Sequence, residues 1–236
     1  MTKNPDLSLI LACYNEGRTF KRSLEKINRV LADMNYSYEV ICIDDKSKDK
    51  TPKTLKEYTK NKKNWKAFYH KKNKGRGATV KEGIRKAKGD IVGYIDVDLE
   101  VSAVYIPEFV RKTSDGGAEI VIATRVYKIA LPTIIRSLST VSYALLSRLV
   151  LEHNLKDTEA GYKFFSRKKI LPVVKKCQDN HWFFDTEILM RGLDYNMKIK
   201  QIPVLFLKRQ DKKSTVRLIS DTLKYLKALR EFRQIR

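Results

Sequence analysis

Three acidic residues lie in and just after one short apolar run of this 236-residue chain. The run from Asp90 to Asp96 has the composition of a buried strand, and Asp98 and Glu100 follow it at intervals of two. Side chains two apart near a strand end can face the same way, so Asp96 and Asp98 can share one hard cation. Mg²⁺ or Mn²⁺ held by few carboxylates completes its shell with waters and phosphates, which suits a nucleotide diphosphate. A helix cap or a loop is the alternative explanation of such a pair.

Two earlier strand ends also carry polar residues. The tripeptide Tyr14–Glu16 follows an apolar run over 7–13, and Asp45 follows a second run over 38–43. The carboxyl ends of parallel strands share one edge of a sheet, where open α/β sheets bind ligands. We therefore expect three strand ends to converge on one crevice. Asp45 suits acceptance from a base N–H or a ribose hydroxyl, and helix capping is its alternative role.

A basic turn with two glycines, Asn73-Lys-Gly-Arg-Gly77, precedes a helical pattern. Its spacing matches neither a Walker A loop nor G-x-G-x-x-G. Glycines let backbone N–H groups approach an anion closely, and Arg76 can add a bidentate contact. The turn therefore predicts phosphate binding, with a plain connecting turn as the equal alternative.

Strand-like and helix-like patterns alternate over the first 125 residues. Helices are predicted over 19–31, 51–60, 78–87 and 106–112, and strands over 7–13, 38–43, 65–70, 90–96 and 119–123. Such alternation predicts an α/β fold, a mostly parallel and doubly wound sheet flanked by helices on both faces.

Two later segments combine apolar and basic residues. Val126–Leu151 contains no Asp or Glu, and Arg217–Arg236 repeats leucines at helical intervals among Lys and Arg. We expect basic amphipathic helices after residue 125 and at the C-terminus, able to lie on an anionic membrane surface. A core helix with solvated arginines is the alternative.

The charge balance is strongly basic. Lys and Arg number 49 against 27 acids, a formal charge of +22, and 42% of the residues are hydrophobic. This composition supports a substantial core and predicts attraction to phosphate-bearing molecules and anionic bilayers.

The cysteine pattern and the hydropathy bound the cellular location. Three widely separated cysteines favour a reducing, cytoplasmic compartment over a disulfide framework or a zinc cluster. We expect no signal segment and, without 18 consecutive apolar residues, no transmembrane helix.

Six motifs in order carry a resemblance that runs from residue 7 to about residue 235. The chain resembles family 2 glycosyltransferases and is similar to the dolichyl- and polyprenyl-phosphate hexosyltransferases, such as the dolichyl-phosphate mannose synthases. The resemblance implies a GT-A (Rossmann-like) fold, inversion at the anomeric carbon, and a single domain over 1–236. Residues 1–125 would be its nucleotide-sugar-binding half and 126–236 its acceptor-binding and membrane-interface half. The motifs are Tyr14–Glu16, Asp44–Thr51, Asn73–Ala78, Asp96-x-Asp98, Asp157–Phe165 and Trp182–Glu187.

The resemblance also implies roles for individual residues. The donor would contact Ala12, Tyr14, Glu16, Asp45, Arg76, Asp96 and Lys213. The cation, Mg²⁺ or Mn²⁺, would be held by Asp96, Asp98 and Glu100. The acceptor side would consist of Arg125, Arg136, Ser139, Asp157, Asp185, Glu187 and Arg217. The catalytic residues would be Asp96, Asp98, Arg125 and Arg209. The cation held by Asp96 and Asp98, together with Arg209, would neutralise the charge that develops on the diphosphate.

The predicted function is transfer of a hexose, with mannose favoured, from GDP-mannose or a UDP-hexose to a polyprenyl phosphate. The protein would be peripheral on the cytosolic face of a membrane, through its basic helices or a membrane partner protein. Transfer to a saccharide hydroxyl is the first alternative, and it needs a general base such as Asp157, Asp185 or Glu187. A basic nucleic-acid-binding protein is the second, which we disfavour because a polyanion-binding face would avoid the acids at the strand ends.

Overall fold

The structure, a computed structural model, describes residues 4–127, 145–208 and 218–236. The strands are β1 (Leu7–Cys13), β2 (Tyr38–Asp44), β3 (Trp65–Tyr69), β4 (Ile91–Ile95), β5 (Ile120–Tyr127), β6 (Tyr162–Ser166) and β7 (Ile199–Phe206). They form one seven-stranded sheet in the order β3-β2-β1-β4-β6-β5-β7. Strand β6 runs antiparallel to β4 and β5, and the other neighbouring pairs are parallel. The predicted α/β fold with a mostly parallel sheet is confirmed.

Helices cover both faces of this sheet. They are α1 (Phe20–Ala32), α2 (Thr51–Thr59), α3 (Arg76–Lys86), α4 (Ile106–Ser114), α5 (residues 145–151), α6 (Arg167–Lys176), α7 (Phe184–Asp194) and α8 (Leu218–Ile235). Helices α1, α2 and α4 pack on one face, and α3, α6, α7 and α8 pack on the other. The core is therefore two apolar layers separated by the sheet.

The central strands are apolar on both sides because both of their faces are covered. All five residues of β4 are buried, and β1 is buried at six of its seven positions. Helix α1 instead buries one stripe, at Phe20, Leu24, Ile27 and Leu31, which is the helical period. These periodicities explain why the first half of the fold is readable from its sequence.

The carboxyl edge of the sheet gathers the polar strand ends. Strands β1, β2, β3 and β4 are parallel, so the residues that follow them lie at the same edge. Strand β5 also ends there, because β6 is antiparallel to both β4 and β5. The antiparallel β6 begins at this edge, which brings the segment before Tyr162 to the same crevice.

The start of the acid-free segment differs from the expectation. Val126 and Tyr127 belong to β5 and not to an amphipathic helix, because the ladder with β7 continues through Tyr127 opposite Phe206. Residues 128–144 lie outside the described residues, and 145–151 are helical as expected.

The C-terminal helix forms as predicted, and its apolar stripe is largely covered by protein. Tyr225, Leu229 and Phe232 are buried in the core, and Leu226 and Ile235 are exposed. The outward face is basic. No helix within the described residues is both long and apolar enough to cross a membrane.

Candidate active site

The loop after β4 presents Asp96 at the mouth of the crevice. The Asp96 backbone N–H donates to the Gly161 carbonyl at 2.9 Å, and half of the Asp96 side chain is exposed. Leu99 has a φ of +57°, which turns the chain sharply, and Oδ1 of Asp98 accepts from the Glu100 N–H at 3.2 Å. The three predicted metal ligands therefore stand on one tight loop whose position is fixed by the start of β6.

Arg76 joins this loop to the interior. Its Nη2 and Nε donate to Oδ1 of Asp96 at 2.8 and 3.2 Å, and its Nη1 donates to Oδ2 of Asp185. The guanidinium lies 5.6 Å from the ring centres of both Tyr94 and Trp182. Burial disfavours the cation, but the two carboxylates outweigh it and raise the pKa of Arg76 above its usual value. The side chain that was predicted to meet a phosphate is held in place by two carboxylates.

Asp185 lies beneath the crevice as a shared acceptor. It is 2% exposed, and its Oδ1 accepts from Tyr94 Oη at 2.6 Å and from Lys163 Nζ at 2.8 Å. Burial raises the pKa of the carboxyl, but Arg76 and Lys163 lower it by a larger amount, so the net shift is downward. A buried carboxylate with three donors is a satisfied ion, which makes Asp185 a support for Arg76 in this structure.

Gly161 lets the start of β6 approach the Asp96 loop and Arg76 closely. A Cβ added at this position would collide with Oδ2 of Asp96 and Nη2 of Arg76. The start of β6 therefore packs its backbone directly against the carboxylate and the guanidinium.

The loop after β1 is tied to the loop after β2. Asn15 N–H donates to Ser47 Oγ at 2.9 Å, Gly17 N–H to Asp49 Oδ2 at 2.9 Å, and Glu16 N–H to Thr51 Oγ1 at 2.8 Å. The Glu16 carboxylate accepts from Tyr14 N–H at 3.0 Å. Of the predicted donor residues here, Ala12 is half-buried and Tyr14 is 36% exposed at the edge.

Asp45 is buried and holds the glycine-bearing turn. Its Oδ1 accepts from Lys74 N–H and its Oδ2 from Gly75 N–H, both at 2.8 Å. Gly75 has a φ of +94°, and a Cβ added at this position would collide with Asn180 and His181. This carboxylate therefore shapes the turn that delivers Arg76 to Asp96.

Arg125 and Asp157 form a second ion pair, between the end of β5 and the segment that leads to β6. Arg125 Nε and Nη2 donate to Oδ2 and Oδ1 of Asp157 at 2.7 and 2.9 Å. Burial raises the pKa of Asp157, but Arg125 lowers it by a larger amount, so the carboxylate stays ionised. Glu159, 4.0 Å from Arg125, has its pKa raised to about 7 by burial and by Asp157. Arg125, the predicted acceptor arginine, therefore lies beside one ionised carboxylate, Asp157, and one acid that is partly protonated near pH 7, Glu159.

Glu187 bonds to a different set of residues from the two ion pairs described above. It is buried, and it accepts from the N–H groups of Gln178 and Asp179 and from Arg191. These bonds tie the segment before α7 to the helix. Its predicted role in acceptor binding stays a prediction.

Five predicted site residues lie outside the described residues: Arg136, Ser139, Arg209, Lys213 and Arg217. Their roles in acceptor binding, donor binding and catalysis also stay predictions.

The acidic loop suits a cation that brings most of its own ligands. Asp96 and Asp98 offer hard carboxylate oxygens from one loop. Within the described ranges, no three His, Cys, Asp or Glu side chains gather into a metal-binding group. Mg²⁺ is commonly bound through one or two carboxylates together with substrate phosphates. The donor set therefore fits a cation that enters with a diphosphate, and Glu100 as a third ligand stays a prediction.

Sequence reasoning missed several side chains of this site. Tyr94 read as an ordinary strand residue, although it lies two positions from Asp96, and Lys163 stood within the Asp157–Phe165 motif without an assigned role. The alternation of a strand places such pairs on one face, and this was the available signal. Trp182 and Glu159 stood within quoted motifs without an assigned role.

A comparison with protein families shows which family the chain belongs to. Residues 8–177 match Glycosyl transferase family 2, and the chain belongs to that family. The seven-stranded sheet and its flanking helices are a GT-A-like fold.

Curated relatives agree with this assignment. The chain is 28% identical over 222 residues to glycosyltransferase AglD of Haloferax volcanii, which covers 92% of this chain and 35% of the relative. It is 28% identical over 211 residues to a dolichyl-phosphate beta-glucosyltransferase of Trichomonas vaginalis, covering 84% of this chain and 64% of the relative. A dolichyl-phosphate beta-glucosyltransferase of Dictyostelium discoideum is 26% identical, with coverage of 84% and 65%. The chain thus spans between about one third and two thirds of these relatives.

Solved structures share the fold. Glucosyl-3-phosphoglycerate synthase from Mycobacterium tuberculosis, in complex with Mn²⁺, UDP and glucosyl-3-phosphoglycerate, aligns with a TM-score of 0.67 at 18% identity, over 95% of this chain and 76% of that one. S. aureus TarS in complex with UDP-GlcNAc aligns with a TM-score of 0.61 at 17% identity, over 95% and 65%.

Proposed function

We propose that this protein transfers a hexose from a nucleotide sugar to a polyprenyl phosphate, with inversion and with a divalent cation. The observation that carries the proposal is the joint presence, at one sheet edge, of the Asp96–Arg76 pair and the Arg125–Asp157 pair. The first pair suits a diphosphate leaving group, and the second suits a second anion beside it.

The donor side is built from the loops after β1, β2 and β4. Tyr14 and Asp45 border the nucleotide end, and Asp96 and Asp98 border the diphosphate. Arg76 lies between them, with its guanidinium 5.6 Å from the ring centres of Tyr94 and Trp182. A bound Mg²⁺ or Mn²⁺ would supply positive charge to the leaving diphosphate. Asp96 and Asp98 would hold that cation. Structures of the glucosyl-3-phosphoglycerate synthase hold Mn²⁺ or Mg²⁺ together with UDP, which supports this part of the proposal.

The sugar is proposed to be glucose before mannose. The sequence favoured mannose, whereas the polyprenyl-phosphate enzymes among the relatives are described as beta-glucosyltransferases. A UDP-hexose is correspondingly the donor to test first.

The acceptor side needs an anion site more than a base. A phosphate monoester has a second pKa of about 6, so at neutral pH it is already largely a dianion and needs positioning. Arg125 can meet it with the guanidinium surface that Asp157 orients from behind. A sugar hydroxyl would require a carboxylate base, and the buried Asp185 already accepts three hydrogen bonds. This contrast favours the lipid phosphate over a saccharide acceptor.

A donor and acceptor panel tests the proposal. Purified protein is incubated with labelled UDP-glucose, GDP-mannose or UDP-N-acetylglucosamine, a short polyprenyl phosphate and Mg²⁺ or Mn²⁺, and labelled lipid is measured. We expect transfer from UDP-glucose and at least about a 100-fold loss in Asp98→Asn, because the diphosphate loses a cation ligand.

A matched control comes from the other side of the fold. Asp115→Asn changes an exposed carboxylate at the end of α4, and it should keep full transfer. Transfer only to a saccharide, or unchanged transfer in Asp98→Asn, would contradict the proposal. Tight RNA binding at physiological salt with no nucleotide-sugar binding would favour the nucleic-acid alternative.

A further inference from the structure

His70 follows β3 and connects two carboxylates behind the donor side of the crevice. The side chain is almost fully buried. Its Nδ1 lies 2.6 Å from Oδ1 of Asp45, and its Nε2 lies 3.0 Å from Oε2 of Glu82. Each ring nitrogen therefore faces an oxygen that accepts hydrogen bonds when ionised.

This arrangement fixes the charge of the ring by hydrogen-bond counting. A neutral imidazole has one N–H, so it can donate to one carboxylate only. Asp45 also accepts from Lys74 N–H and Gly75 N–H, as an ionised carboxylate does. Burial raises the pKa of Glu82, but Lys74 and His70 lower it by a larger amount. The Glu82 carboxylate therefore stays ionised. Two ionised acceptors require both ring nitrogens to be protonated.

The bridge acts on the turn that carries Arg76. Asp45 receives three N–H groups, from His70 and from the backbone of Lys74 and Gly75. The next residue, Arg76, begins α3 and pairs with Asp96. A shift of the Asp45 carboxylate would therefore move the guanidinium at the diphosphate side.

We propose that His70 is a positioning residue, a buried imidazolium that joins Asp45 to Glu82 and thereby fixes turn 73–75 and Arg76 for donor binding. The donor part rests on the proposed function, and the charge state of His70 does not.

The charged groups around the bridge come from three parts of the fold. Asp45 follows β2, and Glu82 and Lys86 lie on α3, with Lys86 Nζ 3.7 Å from Glu82. Lys74 in the turn reaches Glu82 at 2.9 Å. The two lysines share Glu82 with the imidazolium, which weakens the attraction of Glu82 for the ring proton on Nε2.

Nitrogen-15 NMR of the imidazole rings tests the charge state without any substrate. The chain has three histidines, so His70→Gln identifies the His70 signals. At pH 7 both His70 nitrogens should show the shifts of a protonated ring. His153 provides an internal contrast, because burial and the nearby Arg148 and Arg236 lower its pKa to about 4. A His70 ring with one unprotonated nitrogen at pH 6–7 would overturn the proposal.

Glu82→Gln tests the bridge with little risk to folding, because the Glu82 side chain is 27% exposed. At pH 7 the nitrogen-15 shifts of the His70 ring in this variant should differ from those of the wild type, because Nε2 no longer faces a carboxylate. Glu57→Gln, exposed on α2, is the matched control and should leave these shifts unchanged. Equal His70 shifts in wild type and Glu82→Gln would count against the bridge.

Nucleotide affinity tests the positioning role. Calorimetry with UDP and Mn²⁺ at pH 7 should show Kd raised about tenfold in His70→Gln and about threefold in Glu82→Gln, with unchanged far-UV circular dichroism. Unchanged affinity in folded His70→Gln would refute positioning. Failure of the wild type to bind UDP or GDP would refute the proposed function, while the NMR result would still report on His70.

Discussion

Arg76 pairs with one buried carboxylate and one half-exposed carboxylate. This arrangement explains how an acid at the surface can be kept in a fixed position. Asp185 is buried with a full set of donors, so it anchors the guanidinium from below. Asp96 is half exposed and receives the outer N–H groups of the same guanidinium. A planar guanidinium with five donors bridges two acids in a more fixed geometry than an ammonium, which is a point charge on a flexible stem. The pair thus prepares Asp96 before any ligand arrives.

Glu159→Gln should stabilise the protein at alkaline pH. The folded state raises the pKa of Glu159 from 4.5 to about 7, through burial and the neighbouring Asp157 and Asp185, although Arg125 and Lys163 oppose the shift. Between these values the folded chain binds a proton that the unfolded chain has lost. The free energy of unfolding therefore falls as pH rises through that window. The amide removes this cost, by about 2 kcal/mol or about 4–8 °C in Tm at pH 8, after a discount for partial exposure.

Thermal melts at pH 4.5 and pH 8 measure this effect. The variant and wild type should differ far less at pH 4.5, where Glu159 is protonated in the folded protein. Glu25→Gln, exposed on α1, should show no comparable gain at either pH. A Glu159→Gln protein that is less stable than wild type at pH 8 would contradict the raised pKa.

At the scale of elements, the predictable strands and helices are those with local signals. Strand β1 coincides with the predicted run over 7–13, because a strand covered on both faces is apolar throughout. Helix α3 begins at Arg76, two residues earlier than predicted, because Gly75 with positive φ can begin it directly. Local pattern thus locates an element better than its first residue.

Other parts of the fold depend on contacts that local pattern does not report. The antiparallel β6 lies between β4 and β5, and only long-range pairing puts it there. The partner of Arg76 was equally unreadable: the sequence shows a cation that can meet a phosphate, and the fold gives it Asp96 and Asp185. The residue types predicted that charged side chains lie at the carboxyl edge of the sheet. Which of them form ion pairs depends on the strand order, which the residue types do not show.

Gly161→Ala should disturb the junction of β6 with the acidic loop. The new methyl group would occupy the space of Asp96 Oδ2 and Arg76 Nη2, so both side chains must shift. Because the displaced atoms are the ends of flexible side chains, the stability cost should be small, about 1 kcal/mol, whereas misplacement by about 1 Å can lower turnover about 100-fold. Melting temperature and hexose transfer to the polyprenyl phosphate measure the two effects.

Gly117→Ala is the matched control, because a Cβ at Gly117 meets no atom within 4 Å. It should retain both stability and transfer. If Gly161→Ala behaved like Gly117→Ala, the close contact between β6 and Asp96 would have no functional weight.

At the scale of the whole molecule, the positive charge and the site are arranged differently. The crevice pairs its arginines with acids, as Arg76 and Arg125 show. The outward face of α8 instead combines exposed Arg230 and Arg233 with exposed lysines. The formal charge of +22 therefore resides partly on a surface that points away from the core. A basic helix face beside a site for a lipid phosphate suits an anionic bilayer.

Arg230→Gln with Arg233→Gln should weaken binding to anionic vesicles. Each basic residue near such a surface contributes about 1 kcal/mol, so the double variant should lower the partition coefficient about 10–30-fold. Cosedimentation with vesicles of phosphatidylcholine containing 30% phosphatidylserine measures it, and raised salt should weaken wild-type binding. Lys53→Gln with Lys56→Gln removes the same charge from exposed positions of α2, on the other face of the sheet, and should change binding far less. Equal losses in both double variants would assign binding to net charge alone, and equal binding to neutral vesicles would rule out an electrostatic contact of α8 with the membrane.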